Sequence, residues 1–159
     1  VATRLGFDPA RVCKNLGGYQ VSGWRQNFVE KNGALIIEDC YNAAPDSMKA
    51  AIDTLVSVAK GRKICCFGDM LELGEDTDNL HREVGEYAKE KCVDCMWTYG
   101  EKASFIAKGF GDGAENFATK QELTDYVIKN LKAGDTIVLK RSHSRKFEDI
   151  LERIYKYWE

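Results

Sequence analysis

The chain has 159 residues, enough for one well-formed core and too few for two substantial domains. Its 44% apolar and 30% charged content, with only two prolines, excludes extended disorder, and a formal charge of -2 supplies no general field for drawing in nucleic acid or an anionic membrane. No apolar run approaches the roughly 18 residues of a membrane span, and the first twenty residues lack the order of a secretion signal, so a cytoplasmic setting is expected.

The first element is a leader helix. Asp8 is an N-cap residue followed by Pro9 at the first helical position, and Leu16-Gly17-Gly18 supplies the stop. From Tyr19 to Asn32 the pattern is mixed, with Ser22-Gly23 and Lys31-Asn32-Gly33 as turn signals, and short extended pieces are expected there. The chain opens on Val1 in mid-pattern, which reads as a piece of something longer. We place a leader at residues 1–32 and the folded domain at 33–159.

From residue 34 two periods alternate. Ala34-Leu35-Ile36-Ile37 reads as a buried strand. Asp46-Ser47 then opens a helix whose residues Met48, Ala51, Ile52, Leu55 and Ala59 form one apolar stripe ending near Gly61. Ile64 to Phe67 is the next strand, a helix follows from about Thr77 to Lys91, and Val93 to Tyr99 is a strand. A shorter helix spans Glu101 to Lys108. A weak strand at Asn116 to Ala118 leads to a helix with Leu123, Tyr126, Val127 and Leu131 on one stripe. Thr136 to Leu139 is the last strand, and the closing helix carries Phe147, Ile150, Leu151, Ile154, Tyr155 and Trp158. Strands apolar on both faces, alternating with helices, predict an α/β domain with a parallel sheet covered on each side.

The six cysteines are Cys13, Cys40, Cys65, Cys66, Cys92 and Cys95. Four lie in or beside apolar runs, where thiols behave as small hydrophobes, so no disulfides are expected. Cys92-Val93-Asp94-Cys95 is a lone CxxC without a second pair, and no metal ligands are assigned.

In a parallel α/β sheet ligands collect at the carboxyl ends of the strands, so three loops matter. The first, Glu38 to Ser47, holds Asp39, suited to a ribose diol, with Tyr41 or Asn42 to pack on a base and Pro45 to fix the turn. A solvated turn with a helix cap explains the same residues. The second, Gly68 to Glu75, brackets Met70, Leu71 and Leu73 with glycines, as either a self-packed loop or a substrate loop. The third, Lys140 to Lys146, concentrates four permanent cations at the start of the last helix and suits an anion or carboxylate. His143 has no partner nucleophile at triad spacing, and no GxGxxG or GxxxxGK[ST] phosphate cradle occurs anywhere.

The run Ile36-Ile37-Glu38-Asp39-Cys40-Tyr41-Asn42-Ala43-Ala44-Pro45-Asp46-Ser47-Met48 resembles the aspartate-plus-YNANP-DSM segment of the MurF branch of the Mur ligase family. Gly68-Asp69-Met70-Leu71-Glu72-Leu73-Gly74, followed by His81 and Gly85, is similar to that family's GDMLELG-to-histidine segment, and Val138-Leu139-Lys140-Arg141-Ser142 to its VKGS segment. The resemblance implies a Rossmann-like, doubly wound, mostly parallel sheet of about five to six strands with helices on both faces. It implies the third domain of a longer ligase, swinging over ATP and Mg2+ bound mostly by a missing central domain. The reaction implied joins UDP-muramoyl-tripeptide to D-alanyl-D-alanine through an acyl-phosphate in peptidoglycan synthesis.

By the same resemblance Arg25 and Lys140 are the catalytic candidates, with Arg25 reaching the ATP phosphates. Asp39, Tyr41, Asn42 and Pro45 join Arg25 as the nucleotide set. Asp69, Met70, Glu72, Leu73, Ser142 and Arg145 are the candidates for the acceptor side. Three positions depart from the family pattern: Ala44 stands for a second asparagine, Arg141 for a glycine, and His143 for an arginine. Two rivals are a folate-extending sister ligase, to which the GDMLELG run is a poor match, and a free-standing binding or signalling module. A receiver-type module would want a phosphoacceptor aspartate after the third strand, which here ends in Thr98-Tyr99-Gly100.

Overall fold

The computed structural model describes residues 2–17, 26–40, 42–141 and 148–157. Helix α1 (Pro9–Gly17) begins where Asp8 accepts the amides of Ala10 and Arg11 at 3.2 and 3.3 Å, as its N-cap position requires. The sheet starts with a hairpin of β1 (Asn27–Lys31) and β2 (Ala34–Asp39). Its turn, Asn32-Gly33, holds both residues at positive φ, 48° and 78°, the pair of conformations that matches the twist of the flanking strands. Residues 27–31 thus lie on the sheet side of the boundary expected at residue 33.

The remaining elements follow in alternation: α2 (Pro45–Val58), β3 (Lys63–Gly68), α3 (Thr77–Glu90), β4 (Cys95–Tyr99), α4 (Ala103–Phe110), β5 (Ala114–Phe117), α5 (Lys120–Asn130), β6 (Thr136–Lys140) and α6 (Glu148–Tyr157). The strands lie in the order β1-β2-β6-β3-β4-β5, parallel throughout except for β1. The chain steps from β2 to β5 in one direction, so right-handed crossovers place α2, α3 and α4 on one face. It then returns to insert β6 between β2 and β3, which sends α5 to the other face beside α6.

Side-chain alternation splits the core accordingly. Ile37, Val138, Cys65 and Met96 are register partners across four strands and pack, with Phe67, against Met48, Ile52, Leu55, Val84 and Ile106. Their neighbours Ile36, Ile137 and Ile64, then Leu139, Cys66 and Trp97, pack on Leu123, Val127, Ile150, Leu151 and Ile154. Two glycines let α3 and α4 touch backbone to backbone: a Cβ at Gly85 would fall 2.0 Å from the Ile106 carbonyl, and one at Gly109 2.1 Å from that of Arg82.

Candidate functional site

Because β6 lies between two strands whose helices leave to the opposite face, the carboxyl end of β6 is a topological switch point, the place where an open α/β sheet leaves a crevice. Asp39 and Lys140 are register partners there and share the face of Ile37 and Val138. The Lys140 ammonium donates to Asp39 Oδ2 and to the Asn42 carbonyl, both at 2.7 Å. Its side chain is only 2% exposed, against 13% for Asp39. A buried ammonium is tolerated when paired and hydrogen bonded, and this one ties the strand end to the following loop. Asn42 itself is exposed, with Oδ1 accepting the Ala43 amide at 2.9 Å. Ala44 is the N-cap of α2, its amide bound by Ser47 Oγ at 3.0 Å, and Pro45 is the first helical residue.

On the other face Glu38 is buried and accepts from Asn27 Nδ2 at 2.9 Å and from the Tyr155 hydroxyl. Burial, then the bond to Glu38, pushes the Tyr155 phenol well above its ordinary range. Burial chiefly, with Glu38 and Asp39 adding, pushes the Cys40 thiol up to about 12. That thiol stays protonated near neutrality, directed at the Leu139 carbonyl at 3.4 Å, and is no nucleophile.

The loop after β3 divides into an anchored part and an outward part. Asp69 Oδ1 accepts the Ala103 amide at 2.7 Å at the start of α4, and its carboxylate lies where a Cβ on Gly100 would stand, 2.1 Å away. Met70 is 1% exposed within the core, and Leu73 is partly buried against the same cluster. The Asp69 side chain, expected on the acceptor side, caps a helix here, and the Met70 side chain packs in the core. Glu72 is exposed at φ 62°, and Leu71 is 53% exposed. Beside this loop the Arg141 stem crosses Gly68, where a Cβ would meet Arg141 Cγ at 2.7 Å, and its guanidinium lies 5.2 Å from the Tyr99 ring centre.

Arg25, Tyr41, Ser142 and Arg145 fall outside the described residues. Asp39, Asn42, Pro45 and Lys140 are gathered at the ends of β2 and β6, and Glu72 sits on the neighbouring loop after β3. The Asp46-Ser47 cap shifts two residues, to Ala44, because Ser47 reaches back to the Ala44 amide and carbonyl. Reading residue types missed the bond that His81 makes to the Met70 amide. Its signal was present: His81 shares the buried stripe of α3 with Val84, Gly85 and Ala88, an odd place for an imidazole. A cleft of about 280 Å³ lined by Glu30, Leu35, Lys60 and Thr136 opens at the opposite, amino end of the sheet. Among the described residues no group of three or more His, Cys, Asp or Glu side chains is placed to hold a metal ion, and no helix is long and apolar enough to cross a membrane.

The sequence profile of the family described as Mur ligase, glutamate ligase domain, matches residues 24–143. Among curated proteins, the UDP-N-acetylmuramoyl-tripeptide--D-alanyl-D-alanine ligase of Bacillus subtilis is 36% identical over 155 residues, covering 93% of this chain and 34% of that protein. Its Haemophilus influenzae counterpart is 36% identical over 123 residues, covering 74% of this chain and 26% of that protein. The chain thus spans about a third or less of the length of these relatives. Among solved structures, a MurF from Acinetobacter baumannii superposes with a TM-score of 0.84 at 27% identity, covering 98% of this chain and 35% of that one. A MurF ligase from Thermotoga maritima in complex with ADP gives 0.77 at 26% identity over 93% of this chain and 36% of that one. A bifunctional folylpolyglutamate synthase/dihydrofolate synthase from Yersinia pestis, at 15% identity and a TM-score of 0.60 over 93% of this chain and 34% of that one, shares the fold.

Proposed function

Because this chain belongs to the Mur ligase family through its glutamate ligase domain, we propose that it forms the C-terminal part of an ATP-dependent amide ligase of the MurF kind. In that role it adds D-alanyl-D-alanine to a UDP-muramoyl-tripeptide in the cytoplasm during peptidoglycan synthesis. The observation that carries the reading is the buried Lys140, which holds the Asp39 carboxylate at the crevice end of β2 in a chain similar to D-alanyl-D-alanine ligases.

Among the described residues, those gathered at the ends of β2 and β6 fit the sugar and base end of ATP. Asp39 offers a carboxylate to ribose hydroxyls, and Asn42, before α2, and Pro45, its first residue, are assigned with Tyr41 to the base. Arg25 is assigned to the phosphates. The chain contains no phosphate-cradling motif, so the cradle and Mg2+ belong to the remainder of the longer protein. When bound, ATP supplies the phosphoryl group that activates the carboxylate to be joined. Lys140 spends two of its three donors on Asp39 and the Asn42 carbonyl, so we assign it as the residue that orients the nucleotide loop, in place of a direct catalytic role. Glu72, Leu73, Ser142 and Arg145 are assigned to the acceptor side, and closure of this domain excludes water from the activated carboxylate.

The full-length protein is expected to ligate D-alanyl-D-alanine to the tripeptide precursor with Mg-ATP, and the 159-residue chain alone to show no turnover and only weak ATP binding by calorimetry. Submicromolar ATP binding or turnover by the isolated chain, or a full-length enzyme that takes glutamate in place of the dipeptide, would overturn the assignment.

A further inference from the structure

His81 is fully buried on α3, between the loop after β3 and the start of α4. Its Nδ1 lies 2.6 Å from the Thr77 carbonyl and its Nε2 3.0 Å from the Met70 amide. A backbone carbonyl only accepts and a backbone amide only donates, so both contacts are satisfied by one form alone, the neutral ring with its proton on Nδ1. A protonated ring would turn an N–H on Nε2 against the N–H of Met70.

The loop is held from inside at three points: Asp69 on the Ala103 amide, the Met70 side chain in the core, and the Met70 amide on His81. What projects is the pair Leu71 and Glu72, the first 53% exposed and the second exposed with φ at 62°. A non-glycine residue in the left-handed region persists where its surroundings over-determine it, and here His81 grips the backbone two residues before it.

We propose that His81 is a positioning residue of the acceptor side: its neutral ring fixes the Met70 amide so that the Leu71–Glu72 tip is presented in one conformation to the incoming acceptor, and protonation of the ring releases that tip. Naming the acceptor rests on the ligase reading above; the grip on the loop does not. The charged groups facing the ring are Asp69 from the loop and Asp78 from α3, which favour protonation, and Lys102 ahead of α4, which opposes it. Burial outweighs them and keeps the ring neutral below the ordinary histidine range.

Two measurements test this. In the isolated chain, ring-nitrogen NMR shifts should show Nδ1–H, and on acid titration the amides of Met70, Leu71 and Glu72 should move together with His81 while that of Val138 stays fixed. The opposite tautomer, or loop amides indifferent to His81, would overturn the proposal. In the full-length ligase, His81→Phe should raise the KM for D-alanyl-D-alanine about fivefold, the size of one lost hydrogen bond, with the KM for ATP unchanged. His81→Gln, which restores an acceptor without a titrating ring, should recover the dipeptide KM and remove its acid dependence. Equal damage to both substrates by His81→Phe, or an acid limb that survives in His81→Gln, would reduce His81 to a structural residue. A wild-type enzyme that ligates no dipeptide would sink the ligase reading and leave the NMR result standing.

Discussion

The two ends of β6 are both closed by ion pairs, and the pairs are built in opposite senses. At the amino end Arg62 Nε and Nη2 clasp the two oxygens of Asp135 at 3.1 and 2.6 Å, the Lys132 amide adds a third bond at 2.8 Å, and the second Arg62 nitrogen also reaches the Asn130 carbonyl at 2.7 Å. The more open member is the cation, at 33% exposed against 7% for the carboxylate. At the carboxyl end the cation is sealed and the carboxylate is the more open member. A saturated carboxylate under an arginine is a staple. A carboxylate held from below by a buried lysine remains an acceptor for whatever enters the crevice.

The largest effect in this comparison is expected from Lys140→Met. It leaves Asp39 and the Asn42 carbonyl without their buried donor and should cost about 3–5 kcal/mol in urea unfolding, as breaking a buried pair does. Arg62→Ala should cost less, about 1–2 kcal/mol, because its guanidinium is partly solvated and screening weakens the pair. In the full-length enzyme it should leave the KM for ATP unchanged, whereas a nucleotide defect as large as that of Lys140→Met would erase the distinction between the two ends.

Thr119→Ala is a control away from both. Thr119 Oγ1 accepts the Glu122 amide at 3.2 Å while Glu122 Oε2 accepts the Thr119 amide at 3.1 Å, and losing that capping box should cost about 1 kcal/mol with no effect on either substrate. The smallest effect is pH-dependent. Burial lowers the His81 pKa from its ordinary 6.5, so the contribution of the neutral ring is fully present above that value and is lost as pH falls through the lowered folded value. Unfolding midpoints of wild type and His81→Gln should diverge in acid, and parallel curves would contradict the tautomer.

Much of the fold was legible because strands β2, β3 and β6 are apolar on both faces and the helices carry single stripes, so period alone located them. β1 was legible only as an extended piece, since Asn27–Lys31 is mostly exposed and pairs on one edge. The site was legible in part. Asp39 and Asn42 stood out as polar residues after a buried strand. Lys140 read as the first of a run of cations open to an anion, but it continues the buried strand Thr136–Lys140, and its partner lies 101 residues away in sequence. Pairings across that distance are set by the insertion of β6 between β2 and β3, which no local pattern encodes. Met70 shows the converse: an apolar residue in a glycine-bracketed loop belongs to the core when the loop folds inward.

Asp39, held by Lys140, is proposed to receive the ribose hydroxyls of the nucleotide. This is tested most directly in the full-length protein by comparing ATP with 2′,3′-dideoxy-ATP, in wild type and in Asp39→Asn. For wild type a loss in kcat/KM of roughly tenfold to a hundredfold is expected with the dideoxy nucleotide, the range of a charge-assisted hydrogen bond, and a much smaller loss in Asp39→Asn. Equal losses in the two proteins, with both folded, would show that the hydroxyls are read elsewhere and that the ion pair at this end of the sheet is a staple like the one at the other.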